Sequence, residues 1–155
     1  MKPYTDTLIP RPAFPLRWPA GRERLDTATR KPRSQAPYAK AYDGLIDELR
    51  RFGAINAVIS SNVPCAPRGE EFLPIVSAAK RVADPGVAVY FQRDGRAYAI
   101  SLDVYQTVAG NLRAIAVTLK AMRDVERHGA SVLLERSMDG FREIAEASSV
   151  EKKAA

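Results

Sequence analysis

Apolar and polar residues alternate in two neighbouring stretches near the middle of the chain. The stretches cover residues 87–92 and 96–102, and Asp94 and Gly95 lie in the short link between them. Alternation of this kind indicates strands with one buried face, and an Asp-Gly pair between two such strands is a strong signal of a β-hairpin. We therefore predict an antiparallel hairpin over 87–102 as the centre of the fold.

After the hairpin, the apolar positions change to a helical period. Steps of three and four residues predict a long amphipathic helix over 104–128 that ends before Gly129. The same period predicts helices over 38–52 and 131–147. A run of β-branched residues predicts a strand over 54–60. A short helix is possible over 74–83, because a proline at position 74 is compatible with the first turn of a helix.

These elements predict an α+β fold. In it, a small antiparallel sheet of about three strands, including the 87–102 hairpin, packs against helices 38–52, 104–128 and 131–147. A length of 155 residues favours one domain. We expect a proline-rich basic arm over 1–37, a single α+β domain over 38–148 and a tail over 149–155.

The first 40 residues differ from the rest in proline content and in charge. They hold seven of the eleven prolines. They also hold nine basic and three acidic residues, so their surplus of positive charge equals the net charge of the whole chain, +6. Proline excludes a helix or a central strand here. We expect an extended segment in which Phe14, Leu16 and Trp18 lie across the domain or along a sheet edge, followed by a mobile stretch over 22–35.

Basic and aromatic residues are interleaved in the arm, a composition that predicts contact with nucleic acid. Cationic side chains neutralise phosphates, and aromatic rings stack on bases. A second basic strip repeats every seven residues on the outer face of the long helix. The predicted nucleic-acid-binding residues are Arg11, Arg17, Trp18, Arg22, Arg24, Arg30, Lys31, Arg33, Arg113, Lys120, Arg123 and Arg127. The alternatives are a strap with aromatics anchored in the core, and a helix face that is merely solvated.

Few residues suggest catalysis or metal binding. Cys65 is the only cysteine and His128 the only histidine, so neither a metal-ligand spacing nor a cysteine-histidine pair stands out. A lone cysteine is typical of a reducing cytosol, and no apolar run approaches the roughly 20 residues of a membrane helix. We predict a cytoplasmic protein that is not an enzyme and uses no cofactor, metal or membrane. An enzyme using Cys65 or the loop at Glu70 and Glu71 is the alternative.

A succession of short motifs resembles a family of small bacterial, plasmid and prophage proteins that are often labelled DnaJ-like because some members carry a C-terminal J-domain. The motifs that carry the resemblance cover residues 14–21, 44–54, 58–64, 84–91, 111–116, 126–131 and 134–136. This chain lacks the J-domain itself, since its one histidine precedes Gly129 rather than a Pro-Asp pair. It also has Arg22 and Glu23 where members often continue with a second Trp-Pro. The resemblance implies a module carried on mobile genetic elements.

Our leading hypothesis is a non-enzymatic binding module of mobile-element type that contacts DNA or RNA non-specifically through the basic arm. Affinity for nucleic acid should then fall steeply with salt. The alternative is a protein-interaction adaptor, associated with a chaperone or with replication, that uses the long-helix surface or a sheet edge. The oligomeric state stays open.

Overall fold

Six strands and three α-helices make up the described part of the chain, which is residues 7–32 and 36–143 of a computed structural model. In chain order they are β1 (Arg11–Ala13), α1 (Tyr38–Arg51), β2 (Ile55–Ser61), β3 (Cys65–Arg68), β4 (Glu71–Pro74), β5 (Val87–Arg93), β6 (Arg96–Leu102), α2 (Val108–Arg127) and α3 (Ser131–Asp139). Two short 3-10 helices cover Thr27–Thr29 and Val76–Arg81. The predicted α+β class is confirmed, and the second 3-10 helix lies within the helix expected over 74–83.

The central sheet is mixed rather than purely antiparallel. Its strand order is β1-β2-β5-β6, with β1 parallel to β2 and the other neighbours antiparallel. Strands β3 and β4 form a second, two-stranded sheet. Strands β2, β5 and β6 form the predicted antiparallel set of three, and the proline-containing β1 adds a fourth strand in parallel at the edge. Prolines are compatible with edge strands, where one side of the backbone needs no partner.

The predicted hairpin is present and sets the register of the sheet centre. Strands β5 and β6 pair from Val87 opposite Leu102 to Arg93 opposite Arg96. The two turn residues, Asp94 and Gly95, have φ angles of 52° and 76°. Positive φ at both central positions is what a two-residue type I′ turn requires.

Helix α2 starts four residues later than predicted. Thr107 caps it, with the side-chain hydroxyl accepting a hydrogen bond from the Gly110 N–H at 3.1 Å. The preceding Tyr105 donates its N–H to Asn111 Oδ1 at 3.0 Å and forms a β-bridge with Lys31 of the arm. Residues 104–107 are thus held in a non-helical connection by partners outside their own stretch.

Helix α3 ends at Asp139 and not at 147. The chain then turns and adds to the β6 edge, where the Ala99 N–H donates to the Phe141 carbonyl at 2.7 Å and the Glu143 N–H donates to the Ala97 carbonyl at 3.1 Å. Residues 144–147 of the predicted helix lie outside the described residues. Helix α1 agrees with the predicted 38–52 to within one residue.

The two faces of the four-stranded sheet are covered differently. Residues Val87, Val89 and Phe91 of β5 point to the helices and are fully buried in the core with leucines of α1 and α2. Because side chains alternate along a strand, Ala88 and Tyr90 point to the opposite side, which we call the open sheet face. The arm crosses this face. Within the described ranges, no helix is both long and apolar enough for a membrane crossing.

Candidate nucleic-acid interface

Arg17 is fixed on the open sheet face by its backbone. Its N–H donates to Ser60 Oγ at 2.8 Å, and its carbonyl accepts a hydrogen bond from the Tyr90 hydroxyl at 2.7 Å. Its guanidinium carbon lies 5.2 Å from the centroid of the Tyr90 ring, in a cation-π arrangement. The residue is nevertheless exposed, and its guanidinium forms no ion pair with any described residue. An anchored main chain therefore presents an accessible cation.

Arg11 reaches the same face from β1. It is the register partner of Val58, which in turn pairs with Tyr90. Paired residues of adjacent strands point to the same side of a sheet, so these three residues form one row across the open sheet face. Arg11 is exposed and, like Arg17, has no ion-pair partner among the described residues.

Arg22 lies at the other edge of the sheet, beyond β6. Its guanidinium carbon is 5.8 Å from the centroid of Phe141, and its Nη2 donates to the Gly140 carbonyl at 3.1 Å. No described carboxylate lies within ion-pair distance of it. We call Arg11, Arg17 and Arg22 the open-face arginines, because they extend across the sheet from the β1 edge to the β6 edge.

Glu143 is the acidic group next to Arg17. Burial raises the pKa of this carboxyl, and the positive charge of Arg17 opposes that rise. Tyr90 and Glu143 were not among the predicted site residues. Tyr90 could have been identified from the hairpin pattern, since it alternates with Val89 and Phe91, whereas Glu143 lies next to Arg17 only through the tertiary fold.

Arg24 and Arg30, two of the predicted binding residues, pair with carboxylates of the domain. Arg24 donates from Nε to Asp103 Oδ2 at 2.8 Å and also contacts the Asp84 carboxylate, while Arg30 Nη2 lies 3.4 Å from Asp103 Oδ2. The side chains of Asp103 and Arg30 are only 5% and 8% exposed. The hydrogen bond from Arg24 is the main cause that lowers the pKa of Asp84. These two arginines fasten the arm to the domain.

Trp18 packs within the arm and against the loop before β5. Its Nε1 donates to the Arg22 carbonyl at 3.1 Å, and the Arg24 guanidinium lies 4.3 Å from its ring centroid. A Cβ atom on Gly86 would come within 3.2 Å of side-chain atoms of Leu16, Trp18 and Arg24, so a larger residue here would force these side chains to shift. One face of the indole is thus covered, which leaves the ring half-buried.

The remaining predicted arm residues divide between the described and undescribed parts of the chain. Lys31 is exposed and accepts, through its carbonyl, a hydrogen bond from the Gln106 N–H at 3.1 Å. Arg33 lies outside the described residues. We expected residues 22–35 to be mobile. Four residues of this stretch are instead hydrogen-bonded to the domain, namely 24, 25, 30 and 31.

The basic strip of α2 lies on the helical side of the sheet, away from the open-face arginines. Arg113, Lys120 and Arg127 are exposed. Arg123 instead binds Glu48 of α1, with Nε and Nη2 at 3.1 and 2.9 Å from Oε2. The predicted residues therefore do not form one surface, because the sheet separates the arm set from the helix set.

Other candidate chemistry stays dispersed. Burial raises the pKa of the Cys65 thiol, which disfavours the reactive thiolate. His128 is exposed at the end of α2, and Glu70 and Glu71 are exposed at the tip of the β3-β4 hairpin. In residues 7–32 and 36–143, no three side chains of the histidine, cysteine, aspartate and glutamate types are grouped so that they could hold a metal ion.

Comparison with known proteins adds no relative. No family model, curated protein or solved structure matches the chain. The relationship to DnaJ-labelled proteins therefore stays a prediction from the sequence motifs.

Proposed function

We propose that the chain binds nucleic acid non-specifically, without catalysing a reaction, through the open-face arginines. Arg17 carries the proposal, because two backbone hydrogen bonds and a tyrosine ring hold it while its guanidinium stays accessible and unpaired among the described residues. A cation held in this way loses little conformational freedom when it meets a phosphate. Its planar donors also match phosphate geometry.

The open-face arginines, of which Arg11 and Arg17 are exposed and Arg22 is half-buried, offer at most about three phosphate contacts. For Z neutralised phosphates, the logarithm of affinity falls with the logarithm of salt concentration with a slope of about −0.9Z on duplex DNA and about −0.7Z on single strands. Three contacts predict slopes of about −2.7 and −2.1. Contacts to phosphate carry no direct sequence information, so affinity should differ little between sequences of one form.

The test replaces all three open-face arginines by glutamine. Binding of labelled single-stranded and duplex DNA is measured by fluorescence anisotropy at several salt concentrations between about 50 and 200 mM. We expect the salt slope to approach zero and the affinity at the lowest salt to fall by at least about tenfold. A matched control carries Arg50→Gln, Arg68→Gln and Arg136→Gln, which remove three exposed arginines elsewhere.

Three results would contradict the proposal. Equal losses in the test and control variants would mean that overall charge, and not this face, attracts nucleic acid. Wild-type slopes in the test variant, with a loss on replacing Arg113, Lys120 and Arg127 by glutamine, would assign binding to α2 instead. Absence of binding by the wild-type chain at every salt concentration would remove the function itself.

The protein-interaction adaptor is the second candidate function. It is favoured by apolar side chains on the outer surfaces of α2 and α3, where Val117, Val132 and Leu133 are each more than half exposed. Exposed apolar groups rimmed by polar ones are typical of surfaces that meet a protein partner. Failure of the wild-type chain to bind DNA or RNA would leave this surface as the candidate. The cytoplasmic location and the mobile-element context remain proposals from the sequence.

A further inference from the structure

A cavity of about 740 Å³ lies where the first turns of α1 and α2 meet the 3-10 helix Val76–Arg81. This size is within the range of small-molecule sites. It is lined by residues that include Tyr38, Val76, Ala79, Lys80, Val108 and Ala109. None of the open-face arginines lines it, so it is a site distinct from the proposed nucleic-acid surface.

Most of the cavity wall is apolar. Val76 and Ala79 come from the 3-10 helix and Val108 and Ala109 from α2, while the ring of Tyr38 stacks on that of Tyr42 with centroids 6.0 Å apart. Apolar walls favour a ligand with a hydrocarbon body, because the surfaces of both lose their contact with water on binding.

The charge around the cavity is positive. Among the described residues, Lys80 is the only charged one that lines it, and no described carboxylate forms an ion pair with Lys80. Neither α1 nor α2 has an acidic residue in its first turn, and α1 begins after Pro37 without a side-chain cap. The first amide groups of a helix lack intrahelical acceptors and carry a partial positive charge. These helix ends add to the field of the lysine.

We propose that this cavity binds a small organic carboxylate with an apolar body. The carboxylate meets Lys80 and the first turns of the two helices, and the hydrocarbon part lies against Val76, Ala79 and Val108. The apolar wall alone would accept a neutral or cationic amphiphile as well, so the positive charge at the cavity is what selects the anion.

The test uses octanoate as the probe and the full chain as the protein. Affinity is measured by calorimetry, and the amide groups that respond are identified by NMR. We expect octanoate to shift the amide signals of residues 38–40 and 108–110 and to bind at least about tenfold more tightly than octylammonium. Lys80→Gln should weaken octanoate binding about fivefold. The control is Arg81→Gln, which removes the neighbouring exposed charge outside the cavity lining.

A cavity-filling variant provides an independent check. Ala79→Phe should abolish octanoate binding while circular dichroism reports a folded chain. If this variant does not fold, the Lys80→Gln and Arg81→Gln pair decides the question. Equal affinities of these two variants, equal binding of octylammonium, amide shifts confined to other regions, or no binding of octanoate to the wild-type chain would overturn the proposal.

Discussion

Replacing Asp103 by asparagine should loosen the arm and destabilise the fold. The Asp103 Oδ2 atom accepts hydrogen bonds from Arg24 Nε at 2.8 Å, from the Leu25 N–H at 3.0 Å and from Arg30 Nη2 at 3.4 Å. Asparagine preserves the side-chain volume but removes the negative charge. Its amide also replaces one carboxylate oxygen with a donor. The perturbation therefore tests the charge of one buried group, with little change in packing.

The expected loss in the free energy of unfolding depends on how deeply each side chain of the cluster is buried. Arg30 and Asp103 are 8% and 5% exposed, and removing one member of such a buried pair typically costs about 3 to 5 kcal/mol. The Arg24 side chain is 33% exposed and keeps its ion pair with Asp84. Loss of the Arg24–Asp103 pair is therefore screened by solvent and adds little to the loss of unfolding free energy. Because Arg30 also keeps a hydrogen bond to the Asp103 carbonyl, we expect the lower end, about 3 kcal/mol.

Urea unfolding followed by circular dichroism measures this difference, and amide hydrogen exchange of residues 16–31 reports whether the arm has loosened. The control is Asp47→Asn on the exposed side of α1, which should change the free energy of unfolding by less than about 0.5 kcal/mol. A loss below about 1 kcal/mol for Asp103→Asn, or unchanged exchange in the arm, would refute the argument that buried ion pairs fasten this segment.

Three further predictions concern Gly110 at the start of α2, Gly44 in α1 and the Asp84 carboxylate that Arg24 contacts. Gly110→Ala should destabilise the fold by about 1 kcal/mol despite the higher helix propensity of alanine, because its Cβ would lie 2.8 Å from Tyr105 Cβ. Gly44→Ala in α1, where no atom lies within 4 Å of the added Cβ, should instead stabilise by about 0.5 to 1 kcal/mol, and urea unfolding that gives both variants the same sign would contradict this reasoning. Asp84→Asn should cost up to about 1 kcal/mol at neutral pH, since the carboxylate is 39% exposed and its pKa is lowered by Arg24. A lowered pKa stabilises the fold fully only above the ordinary aspartate value of about 3.9, so unfolding measured at decreasing pH should show the deficit shrinking below that value, and a constant deficit would count against it.

Local sequence signals predicted the elements that local chemistry determines. The hairpin turn needs positive φ at Asp94 and Gly95, and α1 and α2 are followed by glycines with φ of 77° and 84° at Gly53 and Gly129. Each of these positions is recognisable from a few neighbouring residues. The strand over 54–60 and the amphipathic period of α2 are equally local, and the structure agrees with both.

Elements that depend on distant partners were not predictable in this way. Strand β1 forms at the sheet edge because residues 11–13 pair with β2, which lies some 47 residues further along the chain. The late start of α2 depends on Asn111, which is fully buried and donates to the carbonyls of Pro85 and Tyr105. An asparagine in a helical apolar period gives no indication of such partners.

The sequence predicted the residue types of the candidate interface, but it did not predict which role each arginine has. All arm arginines look alike in the sequence, yet Arg24 and Arg30 bind carboxylates 60 to 79 residues away, and Arg123 binds Glu48 75 residues away. Only ion pairs with distant carboxylates distinguish these cations from Arg11, Arg17 and Arg22. The interleaving of arginines with aromatics therefore predicted a nucleic-acid-binding composition, but not which arginines would be free of ion pairs.

The ion pairs of Arg24 and Arg30 do not consume the positive charge that the arm carries. Pairing a basic group of the arm with an acidic group of the domain leaves the net charge of +6 unchanged, because each pair removes one charge of either sign from the accessible surface. The excess must then reside on cations that remain unpaired, and the open-face arginines are among them. Since residues 24, 25, 30 and 31 are already bonded to the domain before any ligand arrives, a nucleic acid would not have to bear the cost of ordering this part of the arm. The affinity at low salt should accordingly follow the number of unpaired arginines on that face, and not the number of basic residues in the arm.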